Sequence, residues 1–436
     1  MSTLLAASTD LTFVARRRPP VPVPGADSPR SPGPSRWREQ RAGVWVELGA
    51  SWRAGDAEVL LAGISRAIAL GAPFTLCHRG AGGMSLVRAA ALEQPHLRVR
   101  ERIRGGDGGL HKQPPPHWRR CALTAGRTEE DGAVAITGGL GGIGLRLATQ
   151  LAESGRSIWL LDRQAVSGLP VSAQQVLGRL ASRTRVVVGQ LDVRTGCGRP
   201  PFPISHLVHA AGELDLLPVA ELDAGRLERY AVAKAAGLRR CTEDLLATGL
   251  RSVVVFGSVE SRRPHRGFGS YALANELVRL EADRLRDRYP RLGVCTAEWS
   301  LWSDVGMAAD AARFAGLAGF AVVPADWGAQ AGAALLARGG ELPAELALGG
   351  PQSDAEQPVR AIAGIGGSSH SLQPRSVQRL VSLCRPSRPR ARAGEWVAAP
   401  RDSDSAPVLR AVVRGRRIGT WASTPASWEP VTGGGR

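Results

Sequence analysis

Apolar positions along this chain recur with two periods, and the two periods take turns. From Val44, VWVEL reads as a strand, DAEVLLAGISRAIAL as an amphipathic helix and PFTLC as a second strand. SLVRAAALE is a further helix and LRVRERI a further strand. This alternation predicts an α/β layer with parallel strands, because a helix between two strands returns the chain to the same edge of the sheet. The series stops near Arg104, where GGDGGLHKQPPPHW breaks it. A second, more regular series opens at Gly132. AVAIT (133–137), SIWLLD (157–162), RVVVGQLDV (185–193), HLVHAAG (206–212) and SVVVFGS (252–258) read as strands. The helices between them end near Ser154, fall on VLGRLAS, and span about 223–248 and Tyr271 to Tyr289; GVCTAEWSLW closes the series. Such a run describes a doubly wound parallel sheet.

The first turn of that sheet carries candidate chemistry. AVAIT ends at Thr137 and is followed by Gly138, Gly139, Leu140, Gly141, Gly142, Ile143 and Gly144, which open a helix. Glycines between a strand and a helix let backbone N–H groups approach a pyrophosphate, and the helix N-terminus adds partial positive charge. A plain flexible turn is the alternative. Asp162 and Arg163 end the second strand. An acid there binds the adenosine ribose hydroxyls of NAD, and an arginine accommodates the 2′-phosphate of NADP, so the residue types leave both cofactors open. Asp192 and Val193, after the third strand, stand either at the adenine edge or at an ordinary strand end.

The helix after HAAG places Leu227, Ala231, Lys234, Leu238, Cys241 and Leu245 on one stripe. Lys234 interrupts an apolar face, and a buried ammonium needs a polar partner or a charged ligand. The chain has only two lysines, Lys112 and Lys234, against 56 basic residues in all, so a side chain that merely snorkels would more often be arginine here. Ser258 ends the strand SVVVFGS, and strand C-termini are where doubly wound sheets hold ligands. Tyr271, one of three tyrosines, opens the next helix, with Asn275 one turn on. A tyrosine can act as a general acid, and a nearby ammonium is expected to bring its pKa of ~10 down.

Composition narrows the function classes. The 436 residues are enough for two or three domains, and 43% are hydrophobic. No apolar run is long enough for a membrane span, and no apolar segment follows Arg16–Arg18 to make a secretory signal. The six cysteines form no CxxC pair, which argues against a disulfide framework or a metal site and suits a reducing cytoplasm. The net charge of +17 is mostly terminal: residues 1–42 carry seven arginines against three acids, and residues 352–436 thirteen against six. Basic residues in Pro/Gly/Ser-rich ends read as solvated, disordered arms rather than as a folded face specific for nucleic acid.

TGGLGGIG (137–144), HAAG (209–212), Lys234, FGS (256–258), YALAN (271–275) and EWSLW (298–302) together resemble the ketoreductase domains of type I polyketide synthases, an offshoot of the short-chain dehydrogenase/reductases. FGSVESRR, YALANE and EWSLWSDVGM are most similar in character to those of iterative enediyne or polyunsaturated-fatty-acid synthases. The resemblance covers about 43–345. It implies an extended short-chain dehydrogenase Rossmann fold at 132–345, preceded by a truncated Rossmann-like structural subdomain at 43–120, with disordered basic termini at 1–42 and 352–436. It also implies that NADPH delivers hydride to the β-ketone of an acyl chain held by phosphopantetheine on an acyl carrier protein, among other synthase domains or subunits.

By the same resemblance Tyr271 donates the proton, Ser258 binds the carbonyl oxygen, Lys234 holds the nicotinamide ribose and lowers the tyrosine pKa, and Asn275 supports a relaying water. The turn residues 137–144, with Asp192, Val193, His209, Ala210, Ala211 and Gly212, would hold the cofactor. Arg163 matches the 2′-phosphate contact; Asp162 departs from the usual Ser or Gly and keeps NADH open. After HAAG the chain reads Glu213, Leu214, Asp215, Leu216, without the second aspartate of the family's Leu-Asp-Asp fingerprint, and Arg263 stands where the tryptophan of the opposite stereochemical class would fall. No ketosynthase, acyltransferase or carrier segment is seen, so the chain reads as a free-standing ketoreductase or a piece of a larger synthase. Two other readings stay open: a reductase of a free small ketone or quinone, and a basic-tailed scaffold or nucleic-acid-binding protein.

Overall fold

In the first series, β2 (Arg36–Gln40), β3 (Gly43–Glu47), β4 (Phe74–His78), β5 (Val99–Arg104) and β6 (Leu110–His111) form a five-stranded sheet in that order. The central three strands are parallel. The crossovers are α1 (Asp56–Leu70) and α2 (Met84–Glu93). Helix α1 has Asp56 and Glu58 in its first turn, where the helix dipole favours acids, and ends at Gly71 in the left-handed region. Its Leu60, Ile64 and Ala67 face Val46, Phe74 and Leu76 of the sheet, all buried. The structure, a computed structural model, describes residues 11–17, 34–105, 109–111, 117–123, 132–306, 322–338, 342, 344–348, 396–398, 408–413 and 416–422.

The second series supplies β8 (Ala133–Thr137), α3 (Gly142–Ala152), β9 (Ile158–Asp162), α4 (Val171–Arg183), β10 (Val186–Gln190) and β11 (Ile204–His209). A short α5 (Ala224–Leu227) runs through a π-helical turn at Glu228–Val232 into α6 (Ala233–Leu246). Then follow β12 (Ser252–Ser258), α7 (Gly269–Arg288), β13 (Gly293–Trp299), the paired β14 (Leu301–Trp302) and β15 (Val322–Val323), α8 (Ala325–Ala337) and β16 (Glu345–Leu348). The strand order β10-β9-β8-β11-β12-β13-β16 is all parallel and reverses direction between β8 and β11. This is the doubly wound Rossmann arrangement expected from the alternation.

The two halves share a core. Leu227, Ala231, Leu273, Ala274 and Leu277 of the second series pack in the same buried cluster as Leu60, Leu76, Leu86 and Val87 of the first. The chain also departs from the expected boundaries. Part of the arm assigned to 1–42 is ordered as strands: Arg36–Gln40 joins the five-stranded sheet, and β1 (Leu11–Arg17) pairs antiparallel with β16. Strand β7 (His117–Leu123) pairs with β1 and so extends the larger sheet, although the sequence places it around the end of the first subdomain. In 352–436, the strands β17 (Trp396–Ala398), β18 (Val408–Val413) and β19 (Arg416–Ala422) pair antiparallel. Apart from 34, 35, 41 and 42, the rest of both terminal segments lies outside the described residues.

Beside β13 and β16, the buried Arg279, Glu298 and Glu345 meet the partly buried Arg262. Arg262 donates to Glu298 and Glu345 at 2.7 Å each, Arg279 lies 3.8 and 3.5 Å from the same two carboxylates, and Ser261 donates to Glu298 at 2.8 Å. Breaking such a set at Glu298 costs far more than replacing it whole, because two guanidinium groups are then left to share the single carboxylate of Glu345. Glu298→Ala is therefore expected to lower the unfolding free energy, measured by denaturant titration, by about 3 kcal/mol or more. A loss below about 1 kcal/mol would mean that the pairs behave as solvated surface bridges.

Candidate active site

A cleft of about 600 Å³ opens at the carboxyl ends of β8 and β11, where the strand order reverses. Gly138, with φ +67°, turns the chain there; a Cβ on it would come 2.9 Å from Ala210 O and Ala211 N. A Cβ on Gly144 would lie 2.4 Å from Gly138 O, so glycine lets the first turn of α3 close onto the loop. Gly138, Gly141, Gly142, Ile143 and Gly144 line the cleft, and Ala210, Ala211 and Gly212 form its facing wall.

Four residues expected to hold the cofactor lie beneath this surface instead. Thr137, Gly139, Leu140 and His209 are buried, Thr137 and His209 completely. His209 Nε2 is 3.0 Å from Lys234 O, which can only accept, so Nε2 carries the proton and donates. Nδ1 is then the acceptor for the Thr137 hydroxyl at 2.9 Å, and Thr137 Oγ1 accepts from Ala211 N at 3.3 Å. Burial, aided by the Lys234 charge, pushes the imidazole pKa down to about 3, which fixes this neutral tautomer. Thr137 and His209 thus tie β8, β11 and α6 together under the cleft.

At the far end, Asp162 accepts from Leu140 N and Gln164 N, each at 3.1 Å, so each of its oxygens is engaged by the turn beside it. Arg163, half-exposed, pairs with Glu213 at 2.6 Å across the cleft mouth. Asp192 accepts from Arg194 N, Nε and Nη2 at 2.9, 2.8 and 2.5 Å, and the Arg194 hydrogen bond holds its carboxyl below the usual range. Val193 lines the cleft beside it and packs against Gly237 of α6.

The four candidate catalytic residues come from α6, β12 and α7, and the structure brings them together. Every member of the Leu227–Leu245 stripe is buried, Lys234 included. Lys234 Nζ donates to Phe256 O at 2.9 Å and to Asn275 Oδ1 at 3.0 Å, and Asn275 Nδ2 donates to Tyr271 O at 2.9 Å. An ammonium has three donors, so the third can serve a ligand in the cleft that Lys234 lines. Burial lowers the lysine pKa to about 8. Ser258 Oγ accepts from Glu260 N at 3.3 Å.

Tyr271 departs from expectation. Burial raises its pKa above the ordinary value and the Glu260 charge adds to this, while hydrogen bonding by Ser258 and Asn275 only partly offsets them. The Lys234 ammonium is turned to Phe256 and Asn275 and is not what sets the phenol. The lowering expected from a nearby lysine is absent, and the group stays protonated through neutral pH.

Other cleft residues escaped the sequence reading. Asp304, at φ +61° just after EWSLWS, lines the cleft with Val305 and Gly306; the Asp-x-Gly spacing was the available signal, since Asp tolerates the left-handed region. Arg194, Arg229 and Tyr230 line it too. Arg229 and Tyr230 belong to the π turn, a local rewinding that the helical stripe conceals. Among the described residues, no group of three or more His, Cys, Asp or Glu is arranged to hold a metal, and no helix is long and apolar enough to cross a membrane.

Comparison with known proteins agrees with this geometry. The family model for the KR domain matches residues 132–304, which span the glycine turn, Lys234, Ser258, Tyr271 and Asn275. Residues 132–304 are a ketoreductase domain of the short-chain dehydrogenase/reductase superfamily. This chain is 30% identical over 227 aligned residues to polyketide synthase ThaG of Burkholderia thailandensis, an alignment that covers 48% of this chain and 4% of that protein. It is 28% identical over 211 residues to the pikromycin polyketide synthase component PikAIII of Streptomyces venezuelae, covering 46% of this chain and 13% of the relative. The chain thus spans a small part of the curated relatives' length. In fold it is similar to a solved A1-type ketoreductase, with a TM-score of 0.57 at 20% identity over 77% of this chain and 81% of the other. KR domains are oxidoreductases that use a nicotinamide cofactor. The glycine turn that a Cβ would fill, the helix N-terminus behind it and the unspent third donor of Lys234 fit such a dinucleotide.

Proposed function

We propose that the KR domain reduces the β-ketone of an acyl chain, carried as a thioester on an acyl carrier protein, to the β-hydroxy group with NADPH. The observation that carries this reading is the convergence of Lys234, Ser258, Tyr271 and Asn275 beside one cleft from three separate elements. NADPH bound along the glycine turn supplies the hydride. The chain's own groups do the rest. Ser258 Oγ–H donates to the ketone oxygen and holds it beside the phenol. Tyr271 Oη–H gives its proton to that oxygen as negative charge develops there, and its raised pKa keeps the proton in place until then. Lys234 Nζ holds the ribose with its third donor, and Asn275 fixes the ammonium's direction.

NADPH is preferred to NADH in this reading because both Asp162 oxygens are engaged by backbone N–H groups, while Arg163 stands half-exposed at the ribose end. Arg163→Ala is expected to weaken NADPH binding about tenfold, the worth of one charge-assisted pair, and to leave NADH binding nearly unchanged in a fluorescence titration. Equal losses for both would remove Arg163 as the 2′-phosphate contact.

The reading itself is tested by NADPH oxidation with trans-1-decalone and with a β-ketoacyl thioester, free and on a carrier protein. Turnover with the carrier-bound ketone well above that with the free ketone supports it. Equal turnover supports a reductase of free ketones, and no turnover with any ketone rejects both.

A further inference from the structure

Helix α2 lies against α7, and one carboxylate crosses between the two halves of the chain at each end of it. At the N-terminus of α2, Glu276 of α7 accepts from Ser85 N at 2.9 Å and from Ser85 Oγ at 2.6 Å. Ser85 is in the first turn of α2, where backbone N–H groups have no partner within the helix and the dipole favours an anion. At the other end, Glu93 is the last residue of α2. Its Oε2 accepts from Val219 N at 2.6 Å and its Oε1 from Gly267 N at 2.9 Å. A carboxylate gains nothing from the dipole at a helix C-terminus, and burial raises the pKa of Glu93 further. What engages it there is the pair of loop amides.

Those amides belong to the two loops in front of the catalytic groups. Val219 follows the HAAG strand end, Gly267 precedes α7, and the loops meet in a parallel bridge between Leu217 and Phe268. The Phe268 ring then meets Tyr271 edge-on, with centroids 6.3 Å apart. The first residue of α7 sits flush on this arrangement: a Cβ on Gly269 would come 2.8 Å from Val219 Cγ2 and 2.9 Å from Leu86 Cδ1 of α2. Glu276 follows Asn275 directly. The turn that carries Tyr271 and Asn275 is therefore held from the first subdomain on both sides.

We propose that α2 is a splint for the catalytic turn, with Glu93 and Glu276 as positioning residues, so that the first subdomain fixes where the Tyr271 phenol stands. The proposal deepens the ketoreductase reading, but one arm of its test is independent of that reading. Glu93→Gln is the informative variant, because both glutamate oxygens accept while a glutamine can accept with only one, so an NH₂ must face one loop N–H.

Hydrogen exchange in Glu93→Gln is expected to quicken about tenfold in 214–222 and 262–271 and to stay unchanged in 133–152. In the assay with trans-1-decalone, kcat is expected to fall about tenfold while the NADPH Kd holds, since the dinucleotide cleft is untouched. Unchanged exchange in the loops overturns the splint. So does equal acceleration everywhere, which marks general loosening, or faster loops with an unchanged kcat. A wild type that reduces no ketone rejects the ketoreductase reading and leaves the exchange arm to decide the splint. Should Glu93→Gln not fold, Ser85→Ala deletes one of the two bonds at the other end without changing charge, and 269–276 is expected to exchange faster; if it does not, the proposal falls.

Discussion

Tyr271→Phe should reduce turnover of a β-ketoacyl thioester by about three orders of magnitude, the usual worth of a positioned general acid. The NADPH Kd should stay within about twofold of wild type, because the phenol does not line the dinucleotide cleft. Phenylalanine preserves the ring and so its edge-on contact with Phe268; only the hydroxyl that interacts with Ser258 and Asn275 is lost. The lost rate is then chemical rather than structural, and it should fall on kcat. Because burial and Glu260 hold the phenol above its ordinary pKa, the wild type should show no loss of acid function through neutral pH. Near-normal turnover in Tyr271→Phe would end the proton-donor assignment and send the search to Ser258.

Lys234→Met should cost about a hundredfold or more in turnover and, unlike Tyr271→Phe, should also weaken the dinucleotide, since Lys234 lines the cleft with one donor not engaged by Phe256 or Asn275. It should leave a second signature that needs no substrate. Burial takes Lys234 from an ordinary pKa of 10.5 down to about 8. Between those two values the unfolded chain holds a proton that the folded chain has released, so folding stability rises with pH through that window. The wild type should gain on Lys234→Met by on the order of 3 kcal/mol between pH 8 and pH 10.5, read from denaturant midpoints at each pH. A gap that stays constant with pH would mean that the ammonium is well solvated or fully compensated in the fold, and the argument from its buried position would fail.

Much of the larger sheet could be read in advance because parallel strands buried on both faces are continuous apolar runs, and AVAIT and SVVVFGS end in the structure where the sequence ended them. Strand β2 could not be. RWREQ has no apolar face, and all five residues are exposed; backbone pairing with β3 and ion pairs from Arg36 and Arg38 to Glu47 order it. Nor could β16, which has only four residues and takes its order from the β13 edge. In the site, Lys234 was visible because a charge broke an apolar stripe. The place of His209 beneath the cleft was not legible, because residue type and place along the chain match a ligand-binding turn, while the direction of the side chain depends on Thr137 and α6, both distant in sequence. The sign of the Tyr271 shift was missed for a related reason. Proximity of Lys234 follows from fold, but what the ammonium faces is decided by Phe256 O and Asn275 Oδ1.

Helices α2 and α3 each emerge from a glycine turn at the end of a parallel strand, yet the carboxylate of Glu276 caps only the first of them. One half of the molecule carries its counter-anion covalently, and the first turn of α3 in the other has no side-chain cap. A dinucleotide titration is therefore expected to fill one site per chain, at α3, and to leave the α2 end unchanged.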